Sequence, residues 1–262
     1  MVESASEKGV RIIAVSVGNT RVNVAACDGR EAGEMRGIGL DDADAAARTI
    51  ASMAHEHDAQ AVVVATVNET FSDALVTALR GASGVGVYRI GVDVGLPNAG
   101  GVDPDAKTGQ DRLLAALAAF ESLQQACVVV DAGTAITVDF VDGEGVFQGG
   151  AIAPGLRMSL GALHAHTDAL PEVRVEDPGE AYFGKNTEQA MLHGAVYGAR
   201  GLVRLLTERF AEAYEAYPLI VATGGDAELL FGDDELVDRI VPDLVLRGIA
   251  LACERSLGDA ED

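Results

Sequence analysis

The chain has 262 residues, of which 48% are hydrophobic, so it can form one large domain or two smaller ones with packed cores. Its formal net charge of −22 argues against a protein that binds nucleic acid or an anionic membrane surface, because both need a surplus of Lys and Arg. This acidity is typical of a highly soluble protein or of a salty cytoplasm.

The first predicted elements are two strands joined by a tight turn. An apolar strand reaches Val17, the turn Gly18-Asn19-Thr20 follows, and a second strand leads to Asp28-Gly29, a pair typical of hairpin turns. Helices are then predicted at 41–57, 71–81 and 111–125, with strands at 61–65 and 85–90. Strands that alternate with helices of this length predict βαβ units and a largely parallel sheet. The Gly-, Pro- and Asp-rich segment 95–108 is a long loop of the kind that often carries function.

The second half of the chain begins like the first. A strand reaches Asp131, a turn follows at Gly133-Thr134, and a second strand leads to Asp142-Gly143. Helices are predicted at 187–215, 226–238 and 244–256, with a strand at 219–222. Because the two copies lie about half a chain apart, they predict two similar domains, which we place at 1–125 and 126–262.

The two Gly-containing turns are candidate phosphate sites. Such a turn exposes backbone N–H groups that can bind phosphate oxygens, and Thr20 and Thr134 add hydroxyl donors. Gly18 and Gly133 also have a purely structural explanation, since tight hairpins need glycine. The repetition of the turn favours a polyphosphate held from both sides.

Gly109-Gln110-Asp111-Arg112 heads the helix at 111–125 and is the candidate catalytic segment. A carboxylate at this position could act as a general base toward a substrate hydroxyl, and Arg112 could hold an anionic group. Thr108 and Asp111 also have the spacing of a capping box, in which Asp111 would only satisfy helix N–H groups. Spacing alone leaves both interpretations open.

Three further motifs lie later in the chain. Thr223-Gly224-Gly225 would let a ligand approach a helix start, while Asp226 is expected to be that helix's N-cap. Gly149 to Leu156 has little side-chain bulk and can act only through its backbone. His164 and His166 lack further ligands at the spacing that a zinc site needs.

Several features predict a cytoplasmic protein. Cys27, Cys127 and Cys253 form no paired spacing, as expected in a reducing compartment. The first ten residues lack the basic and apolar regions of a signal peptide. No apolar run reaches the roughly 18 residues that a membrane span needs.

Taken together, the motifs resemble the type III pantothenate kinase family, in the superfamily that includes actin, hexokinases and heat-shock chaperone ATPases. They occur in the family order over nearly the whole chain, at residues 17–20, 109–112, 131–137, 149–156, 170–171, 184–187, 194, 223–225 and 243–248. The resemblance implies an α/β fold of two similar actin-like ATPase (ribonuclease H-like) domains, with a nucleotide cleft between them.

The resemblance also implies a function: ATP-dependent phosphorylation of pantothenate to 4'-phosphopantothenate, the first step of coenzyme A biosynthesis, by a homodimer. It assigns ATP binding to Ser16, Val17, Gly18, Asn19, Thr20, Arg21, Val22, Asn23 and Thr134. It assigns substrate binding to Gly109, Gln110, Asp111, Arg112 and Thr187, with Asp111 as the proton acceptor. Mg²⁺ accompanies ATP, and Asp131 becomes a ligand of a monovalent cation, K⁺ or NH₄⁺.

Two places depart from the family pattern. Ser16 stands where the family has Asp, and in the internal repeat it aligns with Asp131. A Ser supplies no charge for Mg²⁺, so weaker metal recruitment is expected, and a non-catalytic nucleotide-binding or regulatory paralogue is the alternative function. Val102 and Pro104 stand where the family tends to have Tyr and Asn-Pro, which leaves the acceptor open between pantothenate and a similar small hydroxy acid.

Asp131 itself has two possible roles. It ends the apolar strand that begins at Cys127 and is expected to be partly buried, so its carboxylate needs a partner. Nearby backbone N–H groups would satisfy it in a structural role. A monovalent cation would satisfy it in the role that the resemblance implies.

Overall fold

The computed structural model describes residues 10–96, 100–103 and 105–258. Its first elements are β1 (Arg11–Val17), β2 (Val22–Asp28), β3 (Glu31–Ala32), β4 (Arg36–Ile38), α1 (Ala43–Glu56), β5 (Ala61–Thr66), α2 (Glu69–Ala82), β6 (Gly86–Arg89) and α3 (Gln110–Leu123). They are followed by β7 (Cys127–Ala132), β8 (Ala135–Val141), β9 (Phe147–Pro154), α4 (Leu156–Ala165), α5 (Thr187–Tyr214), β10 (Leu219–Thr223), α6 (Ala227–Phe231), β11 (Arg239–Ile240) and α7 (Leu244–Gly258).

The chain divides into two compact units. Unit 1 comprises Met1–Asn98, Lys107–Ala118 and Asp243–Asp262, and unit 2 comprises Ala99–Ala106 and Ala119–Pro242. These units differ from the predicted division after residue 125 in three respects, the first of which is that the segment Ala99–Ala106 belongs to unit 2. Helix α3 passes from unit 1 into unit 2 after Ala118, and helix α7 belongs to unit 1 because it packs on strands β1, β2 and β3.

Each unit contains one mixed sheet, and the two sheets have the same topology. In unit 1 the order is β3-β2-β1-β5-β6, with β4 also paired to β2; in unit 2 it is β9-β8-β7-β10-β11. In both sheets the first strand is antiparallel to the second and parallel to the strand that follows the first crossover. The internal repeat is therefore present in the structure, and the predicted α/β fold of two similar domains is confirmed.

The core of each unit forms where one face of its sheet packs on helices. In unit 1, Val15, Val24 and Val64 of the sheet pack with Ile50 of α1 and Leu75 of α2. The corresponding cluster of unit 2 combines Val128, Val130, Ile136 and Val138 with Val196 and Val203 of α5 and with Phe231 of α6. Strand β5 is buried along its full length, as expected of a central parallel strand covered on both faces.

Most predicted elements are present within one to three residues of their predicted ends. The helix predicted at 226–238 ends at Phe231, and helix α4 and the strands β3, β4, β9 and β11 were not predicted. Asp42 caps α1, since its Oδ1 accepts hydrogen bonds from the N–H groups of Asp44 and Ala45. Among the helices described, none combines the length and apolarity that a membrane crossing requires.

Candidate active site

The predicted residues of unit 1 meet at the carboxyl ends of the parallel strands β1 and β5. Ser16 and Val17 of β1 are paired with Ala65 and Thr66 of β5. Just beyond this pairing, the N–H of Val67 donates to the carbonyl of Val17 at 3.0 Å. In open α/β sheets, ligands bind outside the carboxyl ends of the strands, so this edge is the place where the fold favours a ligand.

The hairpin turn at the end of β1 brings the whole predicted ATP segment, Ser16 to Asn23, together. The N–H of Gly18 donates to the carbonyl of Arg21 at 3.0 Å, which closes the turn. The amide of Gly18 thus has a structural partner, while Asn19, Thr20 and Arg21 are exposed at the tip. Any phosphate contact of this turn must therefore come from the tip residues rather than from the Gly18 amide.

Asp111 lies in the first turn of α3, at the same edge of the sheet. Its Oδ1 accepts a hydrogen bond from the N–H of Arg112 at 2.9 Å, and its carboxylate lies against Gly109. Burial raises the pKa of Asp111 above its ordinary value of 3.8, although the N–H and the charge of Arg112 act in the opposite direction. The Asp111 carboxylate thus accepts a helix N–H, as the capping interpretation expects, and is also buried, as the general-base hypothesis expects.

Gln110 and Arg112, on either side of Asp111, differ in their surroundings. The side-chain amide of Gln110 is hydrogen-bonded to the backbone of Thr66 and of Ile90. Arg112 is half-buried. Val67 connects this segment to the hairpin, since its side chain lies near Gly109 while its N–H is bonded to Val17.

The turn after β7 is the counterpart of the turn after β1. Gly133 donates its N–H to the carbonyl of Ala135 at 3.0 Å, so this glycine also closes its own hairpin. The exposed Thr134 receives a hydrogen bond on its carbonyl from the N–H of Gly155, at 3.1 Å, where helix α4 begins. The backbone-only role expected of the segment 149–156 is therefore supported at Gly155.

Asp131 is half-buried beside this turn. Its Oδ1 lies against Gly224, whose φ of 95° and lack of a side chain allow the approach, because a Cβ there would overlap that oxygen. The strand registers make Ser16 and Asp131 equivalent, since each stands one residue before the last pair of its hairpin. The equivalence inferred from the repeat is thus present in the structure.

Asp226 departs from its expected role. It stands at the N-cap position of α6, but its side chain makes no capping hydrogen bond. Its N–H donates to the carbonyl of Ala132 at 2.9 Å, and its carboxylate lies 3.7 Å from the guanidinium of Arg157. Sequence spacing could not have indicated this pair, because its partners lie on different helices.

The other positions singled out in the sequence lie outside the two hairpin turns and the start of α3. Thr187 is exposed at the first position of α5, next to its N-cap Asn186, whose Oδ1 accepts from the N–H of Gln189 at 2.8 Å. Val102 is half-buried and lies near Gly149, whereas Pro104 falls outside the described residues. His164 places its Nδ1 2.8 Å from the carbonyl of Leu170, which fits a structural histidine.

A cation at Asp131 would have few side-chain ligands. The part of the chain that the structure describes contains no group of three or more His, Cys, Asp or Glu side chains that could hold a metal ion. Monovalent cations and Mg²⁺ prefer oxygen ligands, and backbone carbonyls, water and phosphate oxygens can supply them. A single carboxylate beside a glycine-rich turn fits a cation whose other ligands are of these kinds.

Comparison with known proteins gives one consistent family. A sequence model of the type III pantothenate kinase family matches residues 12–209. The chain is 41% identical over 157 residues to the type III pantothenate kinase of Gluconobacter oxydans, covering 60% of this chain and 58% of that protein. It is also 41% identical over 170 residues to the Rhodococcus jostii protein of the same name, covering 63% and 62%. These two alignments span less than two thirds of the relatives' own length.

A third relative is matched over more of its length. The type III pantothenate kinase of Syntrophotalea carbinolica is 35% identical over 199 residues, which cover 75% of this chain and 77% of that protein. Among solved structures, a conserved Baf family protein of Campylobacter jejuni is similar, with a TM-score of 0.61 and 19% identity. That match covers 94% of this chain and 99% of the other, and it concerns the fold alone.

Proposed function

Because the chain belongs to the type III pantothenate kinase family, we propose that it transfers the γ-phosphate of ATP to pantothenate, in the first step of coenzyme A biosynthesis. The observation that carries the proposal is the Asp111 carboxylate. It is held at the start of α3, beside the carboxyl ends of β1 and β5, and burial raises its pKa. A base whose pKa is raised toward the operating pH is better matched to the proton of an alcohol.

The reaction follows from this assignment. Asp111 accepts the proton of the primary hydroxyl of pantothenate as the hydroxyl oxygen attacks the γ-phosphorus. The bond from that phosphorus to the bridging oxygen breaks, and ADP leaves with the electron pair. Little covalent chemistry is asked of the protein, so its contribution is mainly to position the reactants and to stabilise charge.

ATP binding is proposed for the two equivalent turns. The exposed tip residues Asn19, Thr20 and Arg21 supply donors and one positive charge in the first turn, and Thr134 supplies a hydroxyl in the second. Arg112 and Thr187 are proposed substrate contacts, and Arg112 is proposed to bind the carboxylate of the acceptor. A similar small hydroxy acid would meet the same requirements.

Two cations complete the proposal. Mg²⁺ neutralises the β- and γ-phosphates when it is bound. Asp131 holds K⁺ or NH₄⁺, because a carboxylate so close to a phosphate-binding turn would otherwise repel the nucleotide. We also propose that the protein is a cytoplasmic homodimer, as the family resemblance implies; light scattering that gives a monomer at micromolar concentration would contradict the dimer.

A coupled assay of ADP release tests the kinase activity directly. With ATP, Mg²⁺ and K⁺ present, we expect ADP release that requires pantothenate and a product that carries one added phosphoryl group. Asp111→Asn should lower kcat by roughly a hundredfold to ten-thousandfold, the usual contribution of a general base. Asp44→Asn, on the exposed side of α1, is the matched control and should leave the rate unchanged.

The possible outcomes distinguish a wrong assignment of the acceptor from a wrong assignment of the reaction type. Folded protein that releases no ADP with pantothenate, yet does so with another primary-hydroxyl acid, would change the acceptor and keep the kinase. Absence of acceptor-dependent ADP release across a panel of such acids would refute the proposed function.

A further inference from the structure

The parallel strands β5 and β6 separate at their carboxyl ends, at a defined point. Their pairing runs from Ala61 and Gly86 to Val64 and Arg89. One further hydrogen bond continues this ladder, from the N–H of Ile90 to the carbonyl of Val64, at 2.9 Å. In a regular parallel ladder the next bond would join the N–H of Thr66 to the carbonyl of Ile90.

The side-chain amide of Gln110 takes the place of that missing bond. Its Oε1 accepts the N–H of Thr66 at 3.0 Å, and its Nε2 donates to the carbonyl of Ile90 at 3.1 Å. A primary amide has the same acceptor and donor as a peptide group, so it can satisfy both strands while holding their ends apart. Both hydrogen bonds are partly buried, where an unpaired backbone group is unfavourable.

Gln110 is also the residue that begins α3, and Asp111 follows it directly. The two hydrogen bonds therefore join the first turn of the helix to the ends of two strands, one residue away from the carboxylate that the proposed reaction uses. The resemblance implied that Gln110 contacts the substrate. The structure instead shows its side-chain oxygen and nitrogen bonded to the protein's own backbone.

We propose that the Gln110 side chain is a positioning residue, which anchors the first turn of α3 to the separated ends of β5 and β6 and thereby fixes the place of the Asp111 carboxylate. The kinetic consequence rests on the proposed kinase function, but the anchoring does not. Gln110 acts through Asp111 and needs no contact of its own side chain with the substrate.

Amide hydrogen exchange of the full chain tests the anchor without any turnover. In Gln110→Met, which keeps the length of the side chain but removes both polar groups, the Thr66 N–H should exchange at least tenfold faster. The Ile90 N–H, bonded to Val64, should keep its protection and so report that the sheet remains folded. Gln110→Glu retains an acceptor for Thr66 and should keep that amide protected. Gln125→Met, at an exposed glutamine, is the control.

Kinetics and the titration of Asp111 then test positioning. Gln110→Met should lower kcat by roughly 10- to 100-fold with little change in the KM for either substrate, because a misplaced base affects the chemical step. Gln110→Glu should recover part of this loss. The carbon NMR signal of the Asp111 carboxyl should titrate at a lower pH in Gln110→Met than in the wild type, since a loosened helix start exposes the carboxylate beside Arg112.

Each contrary result has a distinct meaning. Equal Thr66 exchange in the wild type and in Gln110→Met would overturn the anchor. An unchanged kcat or an unchanged Asp111 titration in that variant would overturn positioning, and a higher pantothenate KM at constant kcat would make Gln110 a substrate contact. A wild type without kinase activity would refute the proposed function alone, because hydrogen exchange and the Asp111 titration still decide the anchor and its effect.

Discussion

The Asp111 carboxylate combines burial with a hydrogen bond to its own helix turn, and the two act on its pKa in opposite directions. Burial is the larger effect, so the pKa in the folded protein lies above the ordinary 3.8. The folded state therefore holds this proton more tightly than the unfolded chain does. The resulting stabilisation of the fold is complete at a pH below the ordinary pKa of Asp. It is lost as the pH rises through the raised pKa that Asp111 has in the folded protein.

At neutral pH the ionised Asp111 is consequently unfavourable for the fold, which gives a stability prediction. Asp111→Asn should unfold at the same or a higher urea concentration than the wild type at pH 7, because Asn keeps the acceptor for the Arg112 N–H without the buried charge. The difference should shrink as the pH falls toward the ordinary pKa of Asp. A variant destabilised at pH 7 by more than about 1 kcal/mol would instead make Asp111 a structural residue.

Ser16 permits a test by gain of function. It is half-buried at the position that Asp131 occupies in the second sheet. Ser16→Asp should lower the Mg²⁺ concentration that gives half-maximal kinase rate, because a carboxylate adds a hard oxygen ligand near the phosphates. Ser16→Asn has the same size without the charge and is the control. Identical Mg²⁺ dependence in the two variants would show that the missing charge does not limit the enzyme.

A substitution of Asp131, in unit 2, distinguishes cation binding by its carboxylate from a purely structural role. Asp131→Asn keeps the shape that fits against Gly224 but removes the charge. The variant should remain folded by circular dichroism and should lose the difference in ATP affinity between K⁺ and Na⁺ buffers, as measured by calorimetry. Unchanged affinity with an unchanged preference between the two cations would leave Asp131 with a structural role only.

Within unit 1, helix α7 packs directly on helix α3. A Cβ on Gly248 would overlap the backbone of Leu114, so the two helices approach each other backbone to backbone. Gly248→Ala should therefore reduce the free energy of unfolding by about 1–3 kcal/mol, the usual effect of overpacking. The measurement is urea unfolding followed by circular dichroism.

Helix α5 offers the matched control for that substitution. Gly194 is exposed in α5, and a Cβ there would meet nothing within 4 Å. Gly194→Ala should stabilise the protein by roughly 0.5–1 kcal/mol, since alanine loses less backbone freedom on folding. A Gly248→Ala variant as stable as Gly194→Ala would mean that α7 does not pack closely on α3.

The elements that could be predicted are those with strong local signals. The hairpin after β1, the buried β5 and the capped α1 each carry their pattern in a few adjacent residues. Helix α4 and strand β9 could not be predicted, because glycines and alanines around Gly150 obscure the alternation of a strand. The helix predicted to reach residue 238 ends at Phe231, before Gly232-Asp233-Asp234, where helix propensity is low.

The candidate site, too, could be predicted only where its residues are adjacent in sequence. Motif order indicated the hairpin turns and Asp111, because glycine, carboxylate and helix start are adjacent in sequence. The hydrogen bonds of Gln110 join residues 20 and 44 positions apart, and the pair of Arg157 with Asp226 spans 69 positions. Such contacts depend on the folded sheet, and spacing in a single sequence does not reveal them.

The whole molecule carries a repeat and a charge imbalance. The two sheets have the same topology and place equivalent turns after β1 and β7. At the equivalent position before each turn, the first sheet has the uncharged Ser16 and the second has the acidic Asp131. The net charge of −22 is a property of the whole molecule that affects its stability.

Salt should stabilise this protein through that charge. With a net charge of −22, repulsion among carboxylates opposes the folded state more than the expanded one. The screening length falls from about 10 Å at 0.1 M to about 3 Å at 1 M salt, which removes most of this repulsion. We expect the Tm to rise between those concentrations of KCl, by roughly 2–4 °C for each kcal/mol gained.

The identity of the salt distinguishes screening from cation binding. NaCl and KCl should raise the Tm equally if screening alone acts, because the Debye length depends on ionic strength and not on the ion. Any additional stabilisation by KCl should saturate at lower concentration and should disappear in Asp131→Asn, since a single bound ion stabilises by mass action. A Tm that stays constant or falls over the whole range would show that carboxylate repulsion does not limit the stability of this fold.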